Sequence, residues 1–352
     1  MMTEAGKFTR AEIFSQPEAW AEALDVVENH KAELNRFFSA EYEQVLFTGC
    51  GSTYYLALAA AALFQQATGK LARAVPGGEL LLNQETALGR PGRDGIPPHK
   101  TLLVAVSRSG STTETVRAVE QFKAQKRGPV IVITNYGDQP LAGLAELALV
   151  IEKGQEQSVA QTRSFASMYV AAAAMSLLAG GQDAEYQAMR GLPVAGAKLI
   201  SEYDALAQKF GENLNLNQVY FLGSGIRYGL ACEVNLKMKE MTLTHSEPFH
   251  FLEFRHGPMS MVNEQALIIG LVSERNFGHE QAVLNEMRAM GGHTLALGES
   301  GLDVCFDSGI PEAGRAVLYL PILQLMAFYR SLAKGLNPDR PTNLTTVVKL
   351  DF

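Results

Sequence analysis

Two stretches of the chain gather side chains able to do chemistry. In Ser107-Arg108-Ser109-Gly110-Ser111-Thr112-Thr113, five hydroxyls follow an apolar run, Leu102 to Val106, of the length of a buried strand. Downstream, Val116, Val119 and Phe122 recur at helical spacing with Glu114 in the first turn, which places the hydroxyls at a helix N-terminus. Such a terminus offers unpaired N–H groups and the positive end of the helix dipole, so the loop reads as a phosphate seat. Ser and Thr also favour N-caps for structural reasons alone, and an ordinary capped turn stands beside that reading.

The second stretch runs from Glu233 to His256. It holds Glu233, Glu240, Glu247 and Glu253, three histidines (His245, His250 and His256), and Lys237 and Lys239. Glu233, Lys237 and Glu240 are spaced to share one helical face and so to supply acid–base chemistry. A salt-bridged face turned to solvent is the commoner meaning of this spacing, and Val234, Met238 and Met241 supply the apolar face that could be buried instead. The pattern leaves both open. The histidines do not share a helical face and Pro248 interrupts them, so no metal site is expected. Gly257-Pro258 forces a turn after His256 and presents its imidazole from a loop, either for function or to cap that turn.

The elements that position these residues repeat along the chain. Gln44 to Gly49 reads as a strand running into Cys50-Gly51-Ser52-Thr53, followed by an Ala-rich helix, Tyr54 to Thr68. Gly49, Gly51 and Tyr54 recur at the same spacing as Gly223, Gly225 and Tyr228. Ala266 to Ser273 echoes Leu102 to Ser107, and Val130 to Thr134 is matched by His293 to Leu297. Alternating strands and helices predict an α/β chain of two tandem doubly wound, five-stranded parallel-sheet (flavodoxin-like) domains. The expected division is an N-terminal arm and helix at 1–40, a first domain at 41–193, a second at 194–335 and a tail at 336–352. A linker is expected around Gly180 to Asp183 and Gly191 to Pro193. Helices are expected over Val194 to Phe210 and Ala313 to Lys334.

Composition narrows the function classes. The 352 residues carry a net charge of −7 with a pI near 5.6 and show no Lys/Arg stripe, which argues against nucleic acid. Cys50, Cys232 and Cys305 lie far apart and fit neither a disulfide framework nor a zinc cluster; a reducing, cytoplasmic setting is expected. The N-terminus has no apolar leader, and the longest greasy run, Ala166 to Ala179, is shorter than the about 20 residues a membrane-spanning helix needs. Neither export nor a membrane partner is expected.

Taken in order, the motifs resemble the sugar isomerase (SIS) domain family, in particular the isomerase half of glucosamine-6-phosphate synthase and its stand-alone relatives. The resemblance runs over nearly the whole chain: Glu12 to Pro17, Cys50 to Thr53, Ser107 to Thr112, Val159-Ala160-x-Thr162, Glu233 to Glu240, His245-x-Glu247, His256-Gly257-Pro258 and Asp339 to Leu344. It implies that Ser52, Thr53, Ser107, Arg108, Ser109 and Thr112 hold the phosphate of a hexose 6-phosphate. It implies that Glu240 shuttles a proton between C1 and C2, and that His256 assists ring opening at the site of a neighbouring subunit in a homodimer. Gly51, Gly110, Thr162, Glu233 and Lys237 would line the sugar pocket. Isomerisation through an enediol or enolamine needs one carboxylate base near both carbons and a separate acid–base group at the ring oxygen, with no metal or redox cofactor.

Departures from the family pattern sharpen the expectation. Thr346 stands where the family's tail carries an imine-forming lysine, with Lys349 three residues on. Gln161 and Arg163 replace a Ser and a Lys, and Arg108 and Ser111 replace a Gln and a Glu. Arg108 adds a charge suited to a phosphate dianion. The chain begins Met1-Met2-Thr3 without an N-terminal nucleophilic cysteine, so no glutaminase domain is expected. The leading expectation is an amino-sugar-6-phosphate isomerase that releases ammonia. A fructosamine-type 6-phosphate deglycase uses the same proton shuttle with a different leaving amine. A non-catalytic phosphosugar sensor is the third reading, although residues 1–40 are too short and acidic for a DNA-binding module.

Overall fold

The computed structural model describes residues 5–89, 100–348 and 350. The chain opens with three helices, α1 (Lys7–Phe14), α2 (Gln16–Asn29) and α3 (Lys31–Phe38), rather than an arm and one helix. The first break falls where the Ser15 hydroxyl donates to the Ala11 carbonyl at 2.7 Å, competing for the helix's own acceptor. Continuing along the chain come β1 (Gln44–Gly49), α4 (Ser52–Thr68), β2 (Ala72–Pro76), α5 (Gly77–Leu82), α6 (Gln84–Leu88), β3 (Thr101–Ser107), α7 (Thr113–Ala124), β4 (Val130–Thr134), α8 (Pro140–Gly143) and β5 (Leu147–Val150). All pairings are parallel, in the order β2-β1-β3-β4-β5. Helices α9 (Arg163–Ala179) and α10 (Asp183–Ala188) follow, and α9 packs on α4.

The device then repeats. After α11 (Leu192–Glu212) come β6 (Gln218–Leu222), α12 (Ile226–Thr242), β7 (His245–Phe249), β8 (Ala266–Leu271), α13 (Phe277–Ala289), β9 (His293–Gly298) and β10 (Val304–Cys305). Their sheet runs β10-β9-β8-β6-β7, which read from the other edge is the order of the first sheet. The α/β, doubly wound, twice-repeated architecture expected from the sequence is the one observed. Near-continuous burial of β1, β3, β4 and β8 is what strands covered on both faces require.

By packing, the chain divides into one compact unit of Met1–Pro17, Glu156–Thr162 and Gly191–Thr346, and another of Glu18–Gln155, Arg163–Arg190 and Val347–Phe352. The first-sheet unit has a core of Leu46, Leu103, Val119, Phe122, Val130 and Val132. The second-sheet unit has one of Tyr220, Leu222, Phe254, Ile268, Leu284 and Met287. In that unit the apolar stretch expected as a single helix is broken into α14 (Glu312–Arg315), a 3₁₀ turn Ala316–Tyr319 and α15 (Leu320–Ala333). Pro321 explains the break, since it lacks an N–H and is tolerated only in a helix's first turn, where it sits. This segment, Glu312–Ala333, is long and apolar enough to cross a membrane, yet 83% of its apolar window is buried inside the protein.

Candidate functional site

In the first-sheet unit, the turns after β1 and β3 lie at the carboxyl ends of neighbouring strands, where the strand order reverses. In a doubly wound sheet that reversal opens a crevice for a ligand. Gly51 makes the first turn possible: it adopts φ 56°, ψ −123° immediately before α4, a conformation that excludes most side chains. Ser52 and Thr53 open the helix and are buried. The Thr53 hydroxyl both accepts from the Cys50 N–H at 2.9 Å and donates to the Cys50 carbonyl at 3.0 Å, which locks the turn.

The turn after β3 is built tightly. The Ser107 hydroxyl accepts from the Gly110 N–H at 3.2 Å, and the Arg108 carbonyl accepts from Asn135 N–H and the Thr134 hydroxyl, both at 3.2 Å. Gly110 has φ 62°, and a Cβ there would come within 2.8 Å of the Gln139 Cβ, so only glycine fits. Thr112 is the N-cap of α7, but its hydroxyl makes no capping bond and stands 3.5 Å from the Ser109 hydroxyl. An ordinary capped turn would have used that hydroxyl. The tail reaches this helix end: the Thr113 N–H points to the Val348 carbonyl at 3.5 Å, and the Leu350 N–H donates to the Thr113 hydroxyl at 3.1 Å. Lys349 lies outside the described residues.

In the second-sheet unit, α12 presents Glu233, Lys237 and Glu240 as a buried ion triad, not a solvated face. Glu233 and Lys237 have no exposure, while the Glu240 side chain keeps 20%. The Lys237 ammonium lies 2.6 Å from Glu240 Oε2 and 3.3 Å from Glu233 Oε1. Burial alone would lower the Lys237 pKa, but Glu233 and Glu240 outweigh it and the net direction is upward, so the ammonium stays charged. Val234, Met238 and Met241 are buried as well, so both faces of α12 are covered and the spacing could not have revealed which.

His256 follows a 3₁₀ turn, Glu253–Arg255, and is exposed; its imidazole has no partner among the described residues. The imidazole therefore does not cap the turn, which the His256 backbone N–H closes on the Glu253 carbonyl at 3.0 Å and whose sharpness comes from Gly257 at φ 118°. His250 instead stacks on Tyr228 at 3.9 Å, and burial lowers its pKa. Thr162 is fully buried and committed to Glu156 Oε1, to which its N–H and hydroxyl donate at 2.7 and 2.8 Å. Burial pushes the Cys50 and Cys232 thiols up, the latter to about 11, so neither is a nucleophilic thiolate near neutrality.

The sequence reading missed Glu280. The second copy repeats the first's turn geometry: Gly225 has φ 59°, ψ −129°, close to Gly51, and the Ser273 hydroxyl accepts from Asn276 N–H at 3.0 Å as Ser107 does from Gly110. Here, however, the buried Glu280 carboxylate accepts from the Ser273 N–H at 2.6 Å and its hydroxyl at 3.0 Å, with Arg227 at 3.9 Å. Burial raises the Glu280 pKa against the pull of these bonds. The sequence signal was weak: Glu280 stands where the first copy has Glu114, and the loop before it keeps one hydroxyl, Ser273, in place of a cluster.

The SIS domain family matches residues 39–178 and 214–304. A glutamine–fructose-6-phosphate aminotransferase (isomerizing) of Bordetella parapertussis is 27% identical over 370 residues, covering 98% of this chain and 58% of that protein. The chain thus spans under two thirds of the length of such curated relatives. Among solved structures, a glucosamine-6-phosphate deaminase from Thermotoga maritima superposes with a TM-score of 0.78 at 27% identity, covering 97% of this chain and 99% of that one. A tagatose-6-phosphate ketose/aldose isomerase from Escherichia coli gives a TM-score of 0.84 at 24% identity, covering 96% of each chain; that likeness concerns the fold alone.

Proposed function

The chain belongs to the SIS domain family, and on that footing we propose that it is an enzyme that isomerises an amino-sugar 6-phosphate and releases the 2-amino group as ammonia. The observation that carries this reading is the α12 triad: a carboxylate left partly open, Glu240, held at 2.6 Å by a buried lysine. In the open-chain sugar, Glu240 removes the proton from C2 and returns it to C1, which turns the aldehyde carbon into an alcohol and C2 into an imine. Water then adds at C2 and ammonia leaves, giving the ketose phosphate. Ser52, Thr53, Ser107, Arg108, Ser109 and Thr112 take the phosphate in this reading; Gly51 and Gly110 shape the turns, while Glu233, Lys237 and Thr162 stand behind the sugar. The assay is ammonia and ketose 6-phosphate formation from glucosamine 6-phosphate and galactosamine 6-phosphate, and the reverse from fructose 6-phosphate with ammonium. Expected is turnover of at least one amino sugar; turnover only of a lysine-derived fructosamine 6-phosphate would replace deamination by deglycation.

A homodimer belongs to the same proposal, because His256 is exposed and unpartnered within the described chain; a cytoplasmic setting is proposed with it, from the scattered cysteines, Cys50, Cys232 and Cys305. If His256 serves the neighbouring subunit, mixing Glu240→Gln with His256→Ala protein rebuilds one intact site per heterodimer. After exchange, activity should rise from near zero to about a quarter of the native level, the share set by random pairing in a two-fold dimer. A mixture no more active than its two components would place His256 in its own subunit's site or outside catalysis.

A further inference from the structure

A second pocket lies in the second-sheet unit, at the opposite end of the strands from the turn after β6. It has a volume of about 610 Å³ and is entered past the starts of β6 and β7. Arg330 and Lys334, one turn apart in and just after α15, form its cationic wall. Arg330 is 3% exposed. Its Nε donates to the Thr244 hydroxyl at 2.8 Å, and its Nη1 and Nη2 donate to the Asn213 and Leu216 carbonyls at 3.0 and 2.7 Å. Lys334 donates to the Thr242 carbonyl at 2.6 Å, covering the negative end of α12, with the Leu243 carbonyl and Thr244 hydroxyl at 3.3 Å.

Every one of these acceptors is neutral. Burying a guanidinium without a counter-charge is costly, and natural proteins pair such groups. Here burial lowers the pKa of both cations, and Arg330 further lowers that of Lys334, with no acid opposing either effect. Three of the five guanidinium N–H donors are used, and two are unspent among the described residues. The one carboxylate lining the pocket, Glu247, is exposed and pairs with neither cation. The rim is apolar: Leu214, Leu243 and Met261 are 43%, 58% and 55% exposed. Leu243 is held outward by a left-handed backbone, φ 50°.

We infer that this pocket binds an organic phosphate monoester, its dianion against Arg330 and Lys334 and its carbon body over Leu214, Leu243 and Met261. The volume suits a small metabolite and exceeds what a bare phosphate fills, and the planar fork beside an ammonium suits phosphate oxygens. The site is separate from the phosphate seat at Ser107 to Thr112 and does not depend on the isomerase reading.

The test uses methyl NMR of methionine-labelled protein, with the Met261 signal assigned through Met261→Leu. Phenyl phosphate, inorganic phosphate and phenol are titrated separately. Expected is a saturable shift of the Met261 methyl with phenyl phosphate, weaker binding of inorganic phosphate, and little response to phenol. Lys334→Gln, at an exposed position, removes one of the two positive charges at the wall and should weaken phenyl phosphate about tenfold. Arg330→Lys, which keeps the charge but not the fork, should weaken it as well. An unmoved Met261 signal, equal affinity in Lys334→Gln, or phenol binding as well as its phosphate would each overturn the inference.

Discussion

Glu240→Gln is expected to cut turnover steeply while leaving the fold and phosphosugar binding intact. Glutamine keeps the size of the side chain, and its amide oxygen can still accept from the Lys237 ammonium, which now bonds Glu240 at 2.6 Å. What it cannot do is take a proton from carbon. Positioned general bases contribute about 10²- to 10⁴-fold, so kcat should fall by about that factor with KM nearly unchanged. That split marks an interaction made only in the transition state. The 20% exposure of Glu240, beside buried Glu233 and Lys237, makes it the member of the triad that a substrate could reach. An undiminished kcat in a well-folded Glu240→Gln protein would remove Glu240 as the base.

The second large effect is on stability. Lys237→Met leaves Glu233, which has no exposure, without its cation. Breaking a buried ion pair from one side costs about 3–5 kcal/mol, and denaturant unfolding near pH 7 should show a loss of that order. Its pH dependence separates this cause from poor packing. In the variant, Glu233 stays buried without the Lys237 charge beside it, so the penalty is full where its carboxylate is ionised and shrinks as acid protonates it. In the native protein Lys237 has the raised pKa, so its contribution is complete at neutral pH and lost only as pH climbs through that value. A loss that does not ease on acidification would point to packing instead of charge.

How far the sequence disclosed the protein depends on the range of the interactions involved. Strand β4 was readable residue for residue, because four consecutive apolar β-branched residues closing on Thr134, also β-branched, have few other uses. The duplication was readable because glycine is required by geometry: a Cβ at Gly49 would meet the Thr53 carbonyl oxygen at 2.7 Å, and one at Gly223 the Arg227 carbonyl oxygen at 2.5 Å. The burial of Glu233 and Lys237 was not readable. Spacing fixes which residues share a face of α12, but what covers that face is decided by distant chain. The same holds for Arg330, whose partners at Asn213, Leu216 and Thr244 lie far back in sequence, whereas the Thr162 hydroxyl is spent on Glu156 only six residues before it, in a turn without a periodic pattern to read. The breaks at Ser15 and before Pro321 were local and had visible causes, but a continuous apolar period masked them.

Glu280 gives the duplication a thermodynamic meaning. A carboxylate fixed in the first turn of α13 cannot diffuse away, so at the Ser273 turn its effective concentration is set by the chain and not by the solution. A dissolved phosphate would have to compete with that carboxylate for the same N–H and hydroxyl. The second unit thus holds its own anion at that turn, whereas the acid at the equivalent place in the first unit, Glu114 in the first turn of α7, leaves its buried Oε2 without a hydrogen-bond partner among the described residues.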